Sequence, residues 1–328
     1  MIKPRLLLLL LLSFLMISCG ESDQRSKPTS KVLKSSPKAH PDSLYQFVKS
    51  QVDFGPRVPN TDAHSQAADW LVKKFESYGA SVQVQEFDAE VYDGTLVSLK
   101  NIIASYNSSA KKRILLAAHW DTRPFADRDS EDTYAKIDGA NDGGSGVAVL
   151  LELARIINSR TPPTVGVDII LFDGEDWGEH HEESSVATPQ GLDSWWCLGS
   201  QYWSKNKHQS NYSAFYGILL DMVGAPNAEF LYDSVSQQNA GRILSKVWDI
   251  AHANGYQNQF KKQIGFTGII DDHVFVNQYA RIPMIDIIDS QGGTFTPSWH
   301  TQNDNLENIS KETLQMVANV LLSVLYNE

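Results

Sequence analysis

Four short apolar runs, at 113–118, 165–172, 215–222 and 284–288, constrain the fold of this chain more than any other feature. Each is the length of a strand rather than of an ordinary helix, and each reads as a strand buried in the interior. Segments of helical period lie between and beyond them, at 145–157, 239–253 and 311–326. Ahead of them, Leu44, Phe47, Val48 and Val52 share one helical face, as do Ala67, Ala68, Leu71 and Phe75 in a stretch ending at Gly79. The period then changes: Val82, Val84 and Phe87 alternate with polar residues, and 96–106 is a further strand candidate. Strands alternating with helices after two neighbouring strands predict a single α/β domain, its central twisted sheet mostly parallel and flanked by helices. A composition of 42% hydrophobic and 20% charged residues excludes wholesale disorder and a polytopic membrane protein. The net charge of −11 argues against a nucleic-acid partner.

The start of the chain has a different character. Lys3 and Arg5 precede an apolar run that reaches Ile17, followed by Ser18-Cys19-Gly20. The run is short of the ~20 residues of a membrane span and has the flanks of a secretory signal. A cysteine at that point resembles a bacterial lipoprotein cleavage box. Residues 1–18 are therefore expected to be a signal peptide, 19–39 a flexible tether with a lipidated Cys19, and 40–328 the catalytic domain. The expected location is the cell envelope, with the membrane reached through the lipid. Gly20 offers no retention signal of the Asp type, which favours the periplasmic side of the outer membrane over the inner. Cys197 remains as an unpaired thiol, so no intrachain disulfide supports the fold.

Acids and histidines collect after the apolar runs, where open α/β sheets place their sites. The first run leads into His119-Trp120-Asp121, the second into Asp173-Gly174-Glu175-Asp176, the third into Asp221 and the fourth into Asp289. Asp142 lies in a glycine-rich turn before a helix, and His300 follows Trp299 in a late loop. One such residue is usually a loop or capping group; six in this pattern (His119, Asp142, Glu175, Asp176, Asp221, His300) point to a metal site. Imidazole and carboxylate both bind zinc, and a catalytic zinc keeps one position open. In the adjacent pair Glu175-Asp176, one carboxylate can bind metal while the other carries protons. The glycine run could instead cradle phosphate, but it lacks the Lys-Ser/Thr ending of such a loop and carries an aspartate.

Taken in order, AAHWD, GANDGGSG, DGED, LLDMVG and WHT resemble the zinc-dependent aminopeptidase superfamily. LLDMVGAP, IIDDHVF and SWHTQNDNLENI are more similar to its glutaminyl-peptide cyclotransferase branch, and DGEDWG and WCLGSQYW to bacterial members. The resemblance implies one zinc per chain held by Asp142, Asp176 and His300, with Glu175 as general acid/base. It also implies Asp221 and Asp271 in an acidic network around Glu175, and Trp299 lining the substrate pocket. Trp177, Trp195 and Trp196 are further candidate walls, and His119 is a second-metal ligand or supports the first. The implied substrates are peptides or proteins with an N-terminal glutamine. The rival within the superfamily is a metal-dependent aminopeptidase, for which His119, Asp142, Asp176, Asp221 and His300 would hold two zinc ions. A rival of another class is a non-catalytic binding lipoprotein. Animal members carry Glu at position 176 and His at position 286, both Asp here. Related folds also lead to the expectation of a cis Asp142–Gly143 peptide.

Overall fold

The apolar runs become neighbouring strands in a computed structural model that describes residues 33–182 and 186–328. In chain order the elements are α1 (Pro41–Val52), α2 (Asp62–Ser77), β1 (Ser81–Glu90), β2 (Leu96–Tyr106), β3 (Arg113–His119), α3 (Gly144–Ser159), β4 (Gly166–Phe172) and α4 (Leu198–Lys205). There follow β5 (Tyr216–Asp221), β6 (Phe230–Asp233), α5 (Ser234–Ala253), β7 (Phe260–Phe266), α6 (Asp272–Phe275), β8 (Met284–Ile288) and α7 (Lys311–Tyr326). The main sheet has six strands in the order β1-β2-β4-β3-β5-β8. Only β2 runs against the rest: it is antiparallel to both β1 and β4, while β4, β3, β5 and β8 are mutually parallel. The fold is thus the α/β architecture read from the sequence.

Both faces of the parallel strands are buried, which explains their continuous apolar runs. On β3, Ile114, Leu116 and Ala118 join the larger core under α1, α3 and α7, while Leu115 and Ala117 join a second core containing Trp203, Tyr212 and Val276. Capping residues fix the helix starts: Thr61 accepts from the His64 N–H, Asp233 from that of Ser236, and Ser310 from that of Thr313.

Several features depart from the sequence reading. Helix α5 starts at Ser234, earlier than 239, because Asp233 caps it ahead of an irregular Ala240. Four short elements have no counterpart in the sequence reading: β6 and α6, of four residues each, and β7 and α4, whose sequences FKKQIGF and LGSQYWSK mix polar and apolar residues without a continuous apolar run. Residues 33–39, assigned by composition to the tether, run along α7: the Lys34 N–H donates to Asn327 Oδ1 (2.7 Å), and that of the buried Ala39 to Asn319 Oδ1 (3.0 Å). The packed chain therefore begins by Leu33. The expected signal peptide and Cys19 lie outside the described residues. Among the described residues, no helix is long and apolar enough to cross a membrane.

Candidate metal centre and active site

The carboxyl ends of β3, β4 and β5 converge on one pocket. His119 closes β3 and Asp221 closes β5, while Glu175 and Asp176 sit in the turn after β4. Asp121 fixes that turn, its carboxylate accepting from the Glu175 and Asp176 N–H groups at 3.2 Å each. Asp142 arrives on the glycine-rich turn before α3. A Cβ on Gly143 would stand 2.8 Å from the Asp121 carbonyl oxygen, and one on Gly146 would stand 2.6 Å from that of Leu220. These glycines therefore serve close approach to the sheet. The N–H groups that a phosphate would need instead hold a carboxylate: Asn141 and Asp142 donate to Asp304 at 2.7 and 3.0 Å. The Asp142–Gly143 bond is trans, contrary to the sequence-based expectation. Gly143 makes the reversal instead, through a φ of +78°.

Two donor triads share Asp142. In one, the ligand atoms of Asp142, Asp176 and His300 lie within 4.8 Å of one another; in the other, those of His119, Asp142 and Asp221 do. The first has the geometry of a finished site. His300 Nε2 stands 3.2 Å from Asp176 Oδ1 and 3.7 Å from Asp142 Oδ2, and its Nδ1 is held by Asp127 at 3.2 Å. That outer carboxylate fixes the imidazole and leaves Nε2 free to ligate. The second triad is less complete. His119 Nε2 lies 2.9 Å from Asp142 Oδ1 and 3.2 Å from Asp221 Oδ1, while its buried Nδ1 has no hydrogen-bond partner and is 3.6 Å from Asp121.

Crowding sets the electrostatics. Burial and the charge of Asp176 push Asp142 up to about 6. Burial and Asp221 push Asp271 up to about 8. Glu175 is raised well above the usual carboxylate range, first by burial and then by Asp176, Asp271 and Asp272, against the pull of His119. Asp127, despite burial, is held well below that range by His300 and Arg123. A divalent cation among Asp142, Asp176 and His300 would relieve this repulsion, so the residues present fit a metal.

Aromatic side chains wall the pocket. Trp299 stacks on His300 with centroids 3.9 Å apart, and Phe295 packs on Trp299 at 4.3 Å. Of the three further tryptophans considered, only Trp196 lines this pocket. Trp195 is buried and donates to the Val186 carbonyl, and Trp177 packs with Leu99 and Leu198. All eight residues named from the sequence as catalytic, metal-binding or supporting groups or as pocket wall (His119, Asp142, Glu175, Asp176, Asp221, Asp271, Trp299, His300) gather here. Four others had no stated role: Asp121, Asp127, Asp304, and Cys197, whose Sγ donates to Glu175 Oε1 at 3.0 Å. Asp121 carried a signal, since it follows a strand; the rest depend on loop packing. A larger cavity, about 410 Å³, opens at Tyr78, Tyr106 and Pro162 but gathers no cluster of carboxylates and imidazoles.

A parallel sheet carrying such a centre at its strand ends defines a class of metal-dependent exopeptidase-like proteins, and the chain belongs to peptidase family M28, whose sequence profile matches residues 101–325. Within that class it is similar to Bacteroides thetaiotaomicron glutaminyl cyclase, at 47% identity and a TM-score of 0.84 over 90% of this chain and 100% of that one. It is also similar to a Zn-dependent exopeptidase from Parabacteroides distasonis, at 44% identity and a TM-score of 0.85 over 90% and 100% of the two chains. Among curated relatives, the glutaminyl-peptide cyclotransferase of Bos taurus is 26% identical over 258 residues, 68% of this chain and 64% of that protein. The chain thus spans just under two thirds of that relative's length.

Proposed function

We propose that this chain cyclises the N-terminal glutamine of peptides and proteins to pyroglutamate and releases ammonia. The observation that carries the reading is the inequality of the two triads: the outer nitrogen of the His300 imidazole is braced by Asp127 at 3.2 Å, whereas that of His119 has no hydrogen-bond partner and stands 3.6 Å from Asp121. One zinc per chain, held by Asp142, Asp176 and His300, would supply Lewis acidity to the glutamine γ-carbonyl. Its 47% identity to a glutaminyl cyclase supports the same choice.

The chain's own residues would do the rest. Trp196, Trp299 and Phe295 fold the glutamine side chain toward its own amine, so that nucleophile and electrophile are already in one molecule. The α-amine nitrogen bonds to Cδ, the carbon of the side-chain amide, and the bond from that carbon to the amide nitrogen breaks. Glu175 takes the proton from the attacking amine and returns it to the departing nitrogen, which leaves as ammonia. A carboxyl raised by burial suits this exchange, because it holds a proton more readily than an exposed glutamate does. Cys197 anchors Oε1 and so orients the group. Asp176, Asp271 and Asp272 add to burial in keeping its affinity for protons high, and Asp221 belongs to the same acidic pocket.

Incubation with a Gln-leading peptide tests this reading: loss of one ammonia with the chain length intact supports it. The second reading, a metal-dependent aminopeptidase, is favoured by the His119–Asp142–Asp221 triad and predicts free glutamine instead. A non-catalytic binding lipoprotein would give neither product.

We also propose that the protein is exported and anchored through an acylated Cys19 on the periplasmic side of the outer membrane. The basic start, apolar run and following cysteine support this. Cys19→Ser should move the protein from the membrane fraction to the soluble fraction; unchanged membrane association would refute the anchor.

A further inference from the structure

Arg123 lies in the loop after β3, its side chain only 1% exposed, and the chemistry above gives it no task. Its guanidinium sits 4.5 Å from the Phe125 ring centroid and 4.6 Å from that of Trp196. Nε and Nη2 donate to the two oxygens of Asp127 at 2.8 and 2.6 Å, a bidentate fork. Nη1 donates to the Asp176 carbonyl at 3.0 Å and stands 3.6 Å from Asp176 Oδ1; Nη2 also donates to the Glu179 carbonyl at 3.0 Å. Asp127 in turn holds His300 Nδ1, and Trp196 lies parallel to the His300 ring at 6.0 Å. One buried cation therefore touches the support of the imidazole ligand, the backbone of a carboxylate ligand and an aromatic wall.

We propose that Arg123 is a positioning residue that sets the metal ligands His300 and Asp176, together with the Trp196 wall, through one rigid fork. This rests on the reading of Asp142, Asp176 and His300 as the metal centre. The shape of the group matters as much as its charge. A lysine would keep the cation but could neither grip both Asp127 oxygens in one plane nor bring a delocalised planar cation to both aromatic rings. A buried ion pair alone is weak evidence of stabilisation. Here every donor contact named leads to a ligand or to the loop that carries one.

The test is zinc affinity, measured by competition with a chelating dye on the folded chain. Disturbing an outer contact of a ligand typically costs about 10–100-fold in metal affinity, so Arg123→Lys and Asp127→Asn should each weaken zinc binding by about tenfold or more. Because both act through one contact, the double variant should be little weaker than either single one. Arg113→Lys is the control: Arg113 grips Asp168 with a similar fork at the opposite end of the sheet, and this change should lower the melting temperature without altering zinc affinity. Zinc affinity within about twofold of wild type in Arg123→Lys, or fully additive losses in the double variant, would overturn the proposal. If the lysine variant does not fold, Asp127→Asn carries the same measurement. His300→Ala separates the two levels: if it too leaves zinc binding unchanged, the metal-centre reading itself has failed.

Discussion

The two ends of the central sheet treat buried charge in opposite ways. At the amino end of β3, Asp168 is buried but satisfied: it accepts from Arg113 Nε and Nη2 (2.7 and 2.6 Å), Tyr212 (2.9 Å) and Ser105 (2.7 Å). At the carboxyl end, Asp142, Glu175, Asp221, Asp271 and Asp272 crowd together with few cations, and both side-chain oxygens of Asp272 lack a partner. Buried charge that is fully paired holds a fold together. Buried charge left uncompensated costs several kcal/mol, and a protein keeps it where a metal or a proton has work to do.

The comparison breaks most sharply at Glu175. Glu175→Gln should lower turnover by about 10²–10⁴-fold, the usual contribution of a general acid/base. Zinc content and melting temperature should change little, because the amide keeps the shape of the side chain. Retained turnover would remove Glu175 from the chemistry. At the paired end the effect should be reversed in kind. Asp168→Ala should cost about 2–3 kcal/mol in denaturant unfolding, somewhat less than breaking a fully buried pair because Arg113 is 14% exposed, with turnover per folded molecule unchanged. Removing metal with a chelator should destabilise the active end alone: at free zinc about 100 times the dissociation constant, binding contributes about 2.7 kcal/mol. Calorimetry with and without chelator would read it, and identical melting temperatures would contradict a metal centre.

A further effect is a pH dependence. Burial, with the charges of Asp121 and Asp221 and against the pull of His119, leaves Asp272 raised to about 7 in the fold, above the ordinary 3.8. The folded state then binds the extra proton, so stability falls as pH rises from about 4 to about 7 and does not return above that. Asp272→Asn should thus gain stability relative to wild type across that window, with little difference below it. A gain that is flat from pH 4 to 8 would show that Asp272 is not raised.

Much of this was legible in the sequence, for physical reasons. Strand-end acids follow from the topology, since parallel strands bring their carboxyl ends to one edge; this is why His119, Glu175, Asp176 and Asp221 could be named before any contact was known. His300 was named only as one of that set of acids and histidines; its role as a ligand, and Trp299 as a pocket wall, came from the resemblance, because a loop has no period to read. Asp127, Arg123 and Cys197 stayed hidden for the same reason. They act through contacts between separate loops, and an Arg-Pro-Phe-Ala-Asp stretch looks like any surface turn until His300 is packed on it. Asp304 lay inside the quoted SWHTQNDNLENI segment, yet its grip on the Asn141 and Asp142 N–H groups is a tertiary fact. The sequence favoured metal over phosphate for the glycine run, and only the structure shows that Asp304 sits on its Asn141 and Asp142 N–H groups.

The central claim is that the active end closes a ring rather than cleaving a peptide. Mass spectrometry of a Gln-leading peptide incubated with the zinc-loaded chain tests it most directly. The account predicts a product one ammonia lighter with its residue count unchanged, formed about 10²–10⁴-fold more slowly by the Glu175→Gln variant. A peptide shortened by one residue, with free glutamine in solution, would contradict it.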